Sequence, residues 1–214
     1  MRRSRLLPTV LLLLIAVPAP VQAGRPTCLG KPTTLEGTPS RDVLHGTSGN
    51  DVIAAGGGND TVDGRGGNDR ICGGSGNDEL QGGTGIDRVA GDEGSDVVRG
   101  GRGGDIASFR DAVSSVDVHL GAGRATGQGY DTLVGVESAI GSATQVNHLW
   151  GDAGENKLTG GAAYDYLGGA GGDDRLLGLD GDDELDGGSG TDALDGGGGT
   201  DGCSDGESST ACEA

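Results

Sequence analysis

A nine-residue period governs this chain. From Gly37 to Ser108 the sequence divides into eight consecutive nonapeptides with no insertion: GTPSRDVLH, GTSGNDVIA, AGGGNDTVD, GRGGNDRIC, GGSGNDELQ, GGTGIDRVA, GDEGSDVVR and GGRGGDIAS. A second run of seven spans Ser142 to Ser204: SATQVNHLW, GDAGENKLT, GGAAYDYLG, GAGGDDRLL, GLDGDDELD, GGSGTDALD and GGGGTDGCS. Residues 109–141 lie between the runs and break the period. Self-similarity at a fixed period is the signature of stacked repeats, each too small to bury its apolar face alone.

The columns of the repeat separate this pattern from low-complexity disorder. Column six holds Asp42, Asp51, Asp60, Asp69, Asp78, Asp87, Asp96 and Asp105, then Asn147, Asn156, Asp165, Asp174, Asp183, Asp192 and Asp201. Column eight is apolar throughout, from Leu44, Ile53, Val62 and Ile71 to Leu176, Leu185, Leu194 and Cys203. Columns one and four are mostly glycine. A disordered acidic segment has no reason to hold three chemical classes in register. Glycine allows a tight turn, and a short extended piece follows in which side chains alternate, column eight inward and columns seven and nine outward.

Stacking such units brings the column-six carboxylates to about 4.8 Å from one another, the inter-strand spacing. Uncompensated, that stack repels itself, and Lys plus Arg number 15 against 33 Asp plus Glu, for a formal charge of -18. A cation from solution is required. Calcium suits the donors, since it takes six to eight oxygens from carboxylates and carbonyls in a tolerant geometry; magnesium demands a stricter octahedron and zinc a His/Cys cluster that the repeats lack. One aliphatic side chain per nine glycine-rich residues is little apolar burial against the ordering entropy. The chain is therefore expected to fold only with calcium bound.

These repeats resemble the RTX, or haemolysin-type calcium-binding, pattern GGxGxDxUx, of which GGSGNDELQ and GGTGIDRVA are near-ideal copies. The resemblance implies an all-β fold, a parallel β-roll (β-solenoid) in which six-residue turns bind calcium and three-residue pieces are strands. Two repeats make one coil, and ions lie between turns n and n+2. It further implies that the thirteen column-six aspartates are the metal ligands, with at most about eleven inter-turn sites. Asn147 and Asn156 lack the charged ligand, and Ser142, Ala143 and Gln145 take glycine from one turn.

The flanks complete the organisation. Met1 to Ala23 reads as a signal peptide, with Arg2, Arg3 and Arg5 before the apolar run Leu6–Val17 and Val21-Gln22-Ala23 as the cleavage site. Three prolines interrupt it, and it falls short of the about 20 apolar residues of a membrane span. Its removal takes the formal charge from -18 to -21, by loss of three arginines. The expected divisions are a leader or cap at 24–36, arrays at 37–108 and 142–204, a β-rich spacer at 109–141 and a tail at 205–214. Within the spacer, Val116, Val118 and Leu120 alternate as in a strand, Gly121–Gly123 reads as a turn, and Tyr130–Val134 reads as a second strand. The spacer is expected to continue the roll, with a hinge between two rolls as the alternative. Four cysteines in an exported chain point to disulfides. Of three possible connectivities, Cys203–Cys212 and hence Cys28–Cys72 is favoured.

The acidic balance excludes nucleic-acid binding, which needs a basic face. No catalytic constellation emerges: His45, His119 and His148 are scattered, and the serines lack a GxSxG elbow. The chain is thus expected to be no enzyme but a secreted, extracellular calcium-binding protein with a structural or surface-associated role and no membrane span. Alternatives are an accessory RTX part of an extracellular hydrolase or toxin system, and a calcium-dependent adhesion module for a protein or glycan. Against the first stands the lack of a stretch long enough for a catalytic domain outside the arrays and spacer.

Overall fold

The computed structural model describes residues 27–212, so the expected signal peptide lies outside the described residues. Every regular element is a strand, and there is no helix among the described residues. Two long sheets, of ten and eleven strands, face one another. Consecutive repeats go to opposite sheets, so two repeats make one coil and each residue pairs with the one eighteen positions on. In the ten-stranded sheet Ile53, Ile71 and Val89 are in register, and in the eleven-stranded sheet Leu44, Val62, Leu80 and Val98. The pairing is parallel, apart from a small ribbon of Thr27–Cys28 with Lys31–Pro32 and one strand of the spacer. This is the parallel β-roll that the repeats imply.

The core is the seam between the sheets. Column-eight side chains from Ile53 to Leu194 fill it and are fully buried, while Leu44 and Cys203 are only partly covered because they sit near the ends of the stack. The inward alternation read from the repeat is therefore the observed one.

Glycine serves two separate needs in the turns. In column one it makes room: a Cβ on Gly64 would lie 2.6 Å from the carbonyl oxygen of Gly82 and 2.5 Å from Asp69 Oδ2. In columns two and four the need is a positive φ, as at Gly83 with φ +114°. Arg65, Asp92, Ala170 and Leu179 occupy column two without being glycine and still take positive φ values of 68° to 85°.

Residues 109–141 extend both sheets. From Ser108 the chain crosses to Val116–His119, which pairs in parallel with Asn147–Trp150 farther along the eleven-stranded sheet. It doubles back through the antiparallel strand Arg124–Thr126 and returns as Tyr130–Val134, which pairs in parallel with Val97–Arg102. Ser138–Ile140 then joins the ten-stranded sheet between Ile106–Ser108 and Lys157–Thr159. Val116, Val118, Leu120 and Leu133 add to the same buried seam. Phe109, Ala112 and Val136 join them, so the core passes through the interruption without a gap.

Disulfides Cys28–Cys72 and Cys203–Cys212 tie the two ends of the roll, each with Cα atoms 5.7 Å apart. The first holds the leader against the outer face of the ten-stranded sheet.

Candidate metal centre

Column six stands where each turn enters its strand, and the alternation of sheets sorts its side chains into two stacks. One stack contains Asp42, Asp60, Asp78 and Asp96, and the other Asp51, Asp69, Asp87 and Asp105. Within a stack the backbone N–H of each aspartate donates to Oδ1 of the next. Asp42 donates to Asp60, Asp60 to Asp78, Asp51 to Asp69 and Asp69 to Asp87, all at 2.8 Å. The second array repeats the device, with Asp165 donating to Asp183, Asp174 to Asp192 and Asp183 to Asp201. One carboxylate oxygen is thus committed to closing the turn above it.

The other oxygen is what marks the site. Oδ2 of Asp60, Asp69, Asp78, Asp87, Asp96, Asp105, Asp174, Asp183, Asp192 and Asp201 is buried and has no hydrogen-bond partner. A buried acceptor left unpaired is costly, and an anionic one more so. The remaining three predicted ligands differ. Asp42 Oδ2 accepts from the N–H and hydroxyl of Thr38 at 2.6 and 2.9 Å, and Asp51 Oδ2 from those of Thr47 at the same distances. Asp165 Oδ2 accepts from the Gly161 N–H at 2.5 Å.

Burial is the main cause that lifts several carboxyls of this ladder. Asp96 and Asp183 rise to about 7, and Asp69, Asp105 and Asp174 to about 6, with neighbouring carboxylates adding repulsion. Backbone hydrogen bonds from the preceding aspartate of the stack pull the other way. Among the described residues no three Asp, Glu, His or Cys side chains converge on one point. A cation here would meet carboxylates strung along the axis, with most of its oxygens drawn from turn carbonyls. That donor set fits a hard ion of flexible coordination such as calcium and does not fit zinc.

The asparagines are the informative exceptions. Asn147 Nδ2 donates to Asp165 Oδ1 and to the carbonyls of Ser142 and Gln145, at 2.8 to 3.0 Å. Asn156 Nδ2 donates to Glu137 O and Asp152 Oδ1. At both positions the amide oxygen takes the place that Oδ2 holds in the aspartates, accepting the N–H of Ser142 or Asp152 at 2.7 Å, and the NH2 supplies donors that no carboxylate has. The turn before Asn147 begins at Gly141, whose absent Cβ clears the Asn147 side chain, and it is one residue longer than the others.

Three members of the stacks lie outside the fifteen nonapeptides. Asp131 accepts from the Asp96 N–H at 3.0 Å, at column six of Thr126–Val134, TGQGYDTLV. That stretch carries the column signature and was hidden by the change of phase within 109–141. Glu137 accepts from the Asp105 N–H at 2.7 Å and Glu207 from the Asp192 N–H at 2.6 Å. Both belong to six-residue half-coils, GVESAI and DGESST, in which three turn residues are missing and the longer side chain spans the difference. Only the shared x-x-E-S spacing could have signalled them. Of the histidines, His45 and His148 are exposed, and His119 lies 2.7 Å from Asp117 with its ring stacked on Trp150.

A two-sheet β-roll with a buried carboxylate ladder along its turns defines a parallel β-solenoid whose donors suit a hard cation. The model of the RTX calcium-binding nonapeptide repeat matches residues 36–71, 73–107, 145–167 and 168–202, more than half of the chain. The chain belongs to that family. No curated protein matches it in sequence.

Proposed function

We propose that this chain is a secreted calcium-binding protein whose roll forms as calcium fills the two carboxylate stacks, and that its role outside the cell is structural or surface-associated rather than catalytic. The observation that carries the reading is the set of ten buried Oδ2 atoms without a partner. Each would be a penalty in a metal-free roll and becomes a ligand in a loaded one, so folding and calcium binding are linked. Asp60, Asp69, Asp78, Asp87, Asp96, Asp105, Asp174, Asp183, Asp192 and Asp201 are the proposed ligands. Asp42, Asp51 and Asp165 are assigned to closing their own turns.

Export is supported by the basic-then-apolar sequence of residues 1–23 and by two disulfides, which persist in oxidising compartments. Folding that waits for calcium suits a chain that must cross a membrane unfolded. Far-UV circular dichroism of the chain without its first 23 residues, in calcium and then in excess chelator, tests the linkage. A β spectrum in calcium that collapses on chelation is expected, and a spectrum indifferent to calcium overturns the reading.

A further inference from the structure

The outer face of the ten-stranded sheet gathers arginines in a chain that is otherwise strongly acidic. Arg70 and Arg88 share column seven on neighbouring strands and are register partners. Arg110 follows the strand Ile106–Ser108, its carbonyl held by the Ala143 N–H at 3.0 Å. Arg70 and Arg110 both repel Arg88. Among the described residues the only side-chain ion pairs within 4.0 Å are His45–Asp63, Arg99–Glu79 and His119–Asp117, so none of these three arginines has a carboxylate partner.

Two concavities meet at this cluster. One, of about 260 Å³, is lined by Leu29, Gly30, Arg88, Ser108, Arg110 and Asp111. The other, of about 360 Å³, shares Arg88 and Arg110 and adds Lys157 and Asp180. Ser108 is only 4% exposed, and its hydroxyl has no hydrogen-bond partner. Arg70 Nε, on the strand beside that of Arg88 and two strands from Ser108, is likewise buried and unpaired. Like charges that repel one another beside a buried donor without an acceptor are an arrangement that lacks an anion.

We propose that Arg88, Arg110 and the Ser108 hydroxyl, with Arg70 behind them, form a binding site for a dianionic tetrahedral oxyanion: a sulfate ion or a phosphate monoester. Guanidinium forks match the oxygens of such groups in pairs, and charge-assisted hydrogen bonds of this kind are the strong ones. Arg88 and Arg110 line the smaller concavity with Asp111; with Arg70 near Arg88 the four side chains carry a charge of +2, which a dianion neutralises and a single carboxylate does not. The Cys28–Cys72 disulfide positions Leu29 and Gly30 as one wall, so the leader gains a role beyond capping the roll. The site lies on a sheet face and does not use the calcium ligands; it rests on the fold alone.

The test is calorimetric titration of the calcium-loaded full chain with sulfate, with glycerol 2-phosphate and with acetate, at ionic strength held constant with sodium chloride. Circular dichroism of each sample confirms that the roll is formed. Saturable binding of sulfate, of the phosphate monoester or of both is expected, at least about tenfold tighter than acetate, and the two arms say which ester chemistry is preferred. Arg88→Gln should weaken it about tenfold or more, while Arg99→Gln, on the other sheet and paired with Glu79, leaves it unchanged. Arg110→Gln, at an exposed side chain, carries the same test should Arg88→Gln fail to fold. Undetectable binding, equal binding of acetate, or binding that survives the Arg88 and Arg110 substitutions overturns the proposal. The last outcome would place the anion on bound calcium instead.

Discussion

Asp87 sits in the middle of its stack, where the two roles of a ladder carboxylate separate experimentally. Its Oδ1 accepts from the Asp69 N–H at 2.8 Å, its own N–H donates to Asp105 Oδ1 at 2.9 Å, and its Oδ2 is buried without a partner. Asp87→Asn keeps the Oδ1 acceptor and the shape, and it exchanges the orphan oxygen for an NH2 group. The turn should stay closed while a charged calcium ligand is lost. Partners one shell removed from a metal already cost 10- to 100-fold in affinity, so the calcium concentration at the folding midpoint should rise by about tenfold or more. Asp87→Ala removes the Oδ1 acceptor as well and strands the Asp69 N–H in a buried site. That adds about 1–3 kcal/mol, or a further about 5- to 150-fold in the midpoint if binding and folding are fully linked. Calcium titration followed by far-UV circular dichroism gives the midpoint, and calorimetry counts the ions. Asp51→Asn is the matched control: its Oδ2 is occupied by Thr47, so the number of bound ions should not change. An Asp87→Asn protein with the wild-type midpoint and ion count would refute the assignment of Oδ2 to calcium.

Acidity should act in opposite directions with and without calcium. Asp69 titrates near 6 and Asp96 and Asp183 near 7 when folded, well above the about 3.9 of an unfolded aspartate. Between pH 4 and 7 the unfolded chain therefore binds fewer protons, and the metal-free roll loses stability as pH rises through that window. Chelated protein should gain β signal on acidification from pH 7.5 to 4.5, while the calcium midpoint moves to higher concentration; loss of structure on acidification of the chelated protein would contradict this. Gly83→Ala places a Cβ against the Arg65 carbonyl, 2.7 Å from its carbon, at φ +114°. It should cost about 2 kcal/mol or more in calcium-loaded denaturation. Gly57→Ala meets the rotatable Ser75 hydroxyl at 3.1 Å and otherwise only ordinary contacts with Pro39, and it should stay within about 0.5 kcal/mol of wild type. The disulfides close loops of sequence separation 44 and 9, so serine substitution of Cys28 and Cys72 should cost about 4 kcal/mol and that of Cys203 and Cys212 about 2.7 kcal/mol. Equal losses in urea would argue against loop entropy as the cause.

Legibility followed the period. Wherever nine residues recur without slippage, one aliphatic position and one acidic position suffice to place a side chain in the seam or in the stack. Ile71 and Asp69 were readable for that reason, as was the cross-roll pairing of Cys28 with Cys72 once the terminal pair was set aside. Asp131 was missed because Phe109 to Ala125 is not a whole number of repeats, which shifts the phase of TGQGYDTLV. The strand Arg124–Thr126 was missed because it is short, polar and antiparallel, and only its place between two paired strands makes it a strand. The arginine cluster needed the fold itself. Arg70 and Arg88 are eighteen residues apart in sequence and become neighbours only when two repeats close one coil.

The departures from the repeat show what the ladder needs apart from a cation. Glu137 and Glu207 lie in half-coils with three turn residues missing, where no six-residue turn can offer carbonyls to an ion. Yet each still accepts a buried backbone N–H, from Asp105 and Asp192. At Asn147 and Asn156 the charge is gone and Oδ1 still serves the turn, accepting from the N–H groups of Ser142 and Asp152 at 2.7 Å. An acceptor in column six is therefore a requirement of the backbone, and the negative charge is a separate requirement of the cation. Where the turn is complete and glycine-rich, aspartate meets both. Where the turn is shortened or loses glycine, glutamate or asparagine meets the first alone. Both stacks thus contain a stretch around residues 137–156 in which no column-six oxygen is left without a partner, flanked by the ten orphan oxygens. Calcium removal should accordingly release the roll from its two arrays, with 109–156 the last part to lose amide protection in hydrogen exchange. Earliest loss at 109–156 would mean that the spacer is held by its neighbours' ions rather than by its own hydrogen bonds.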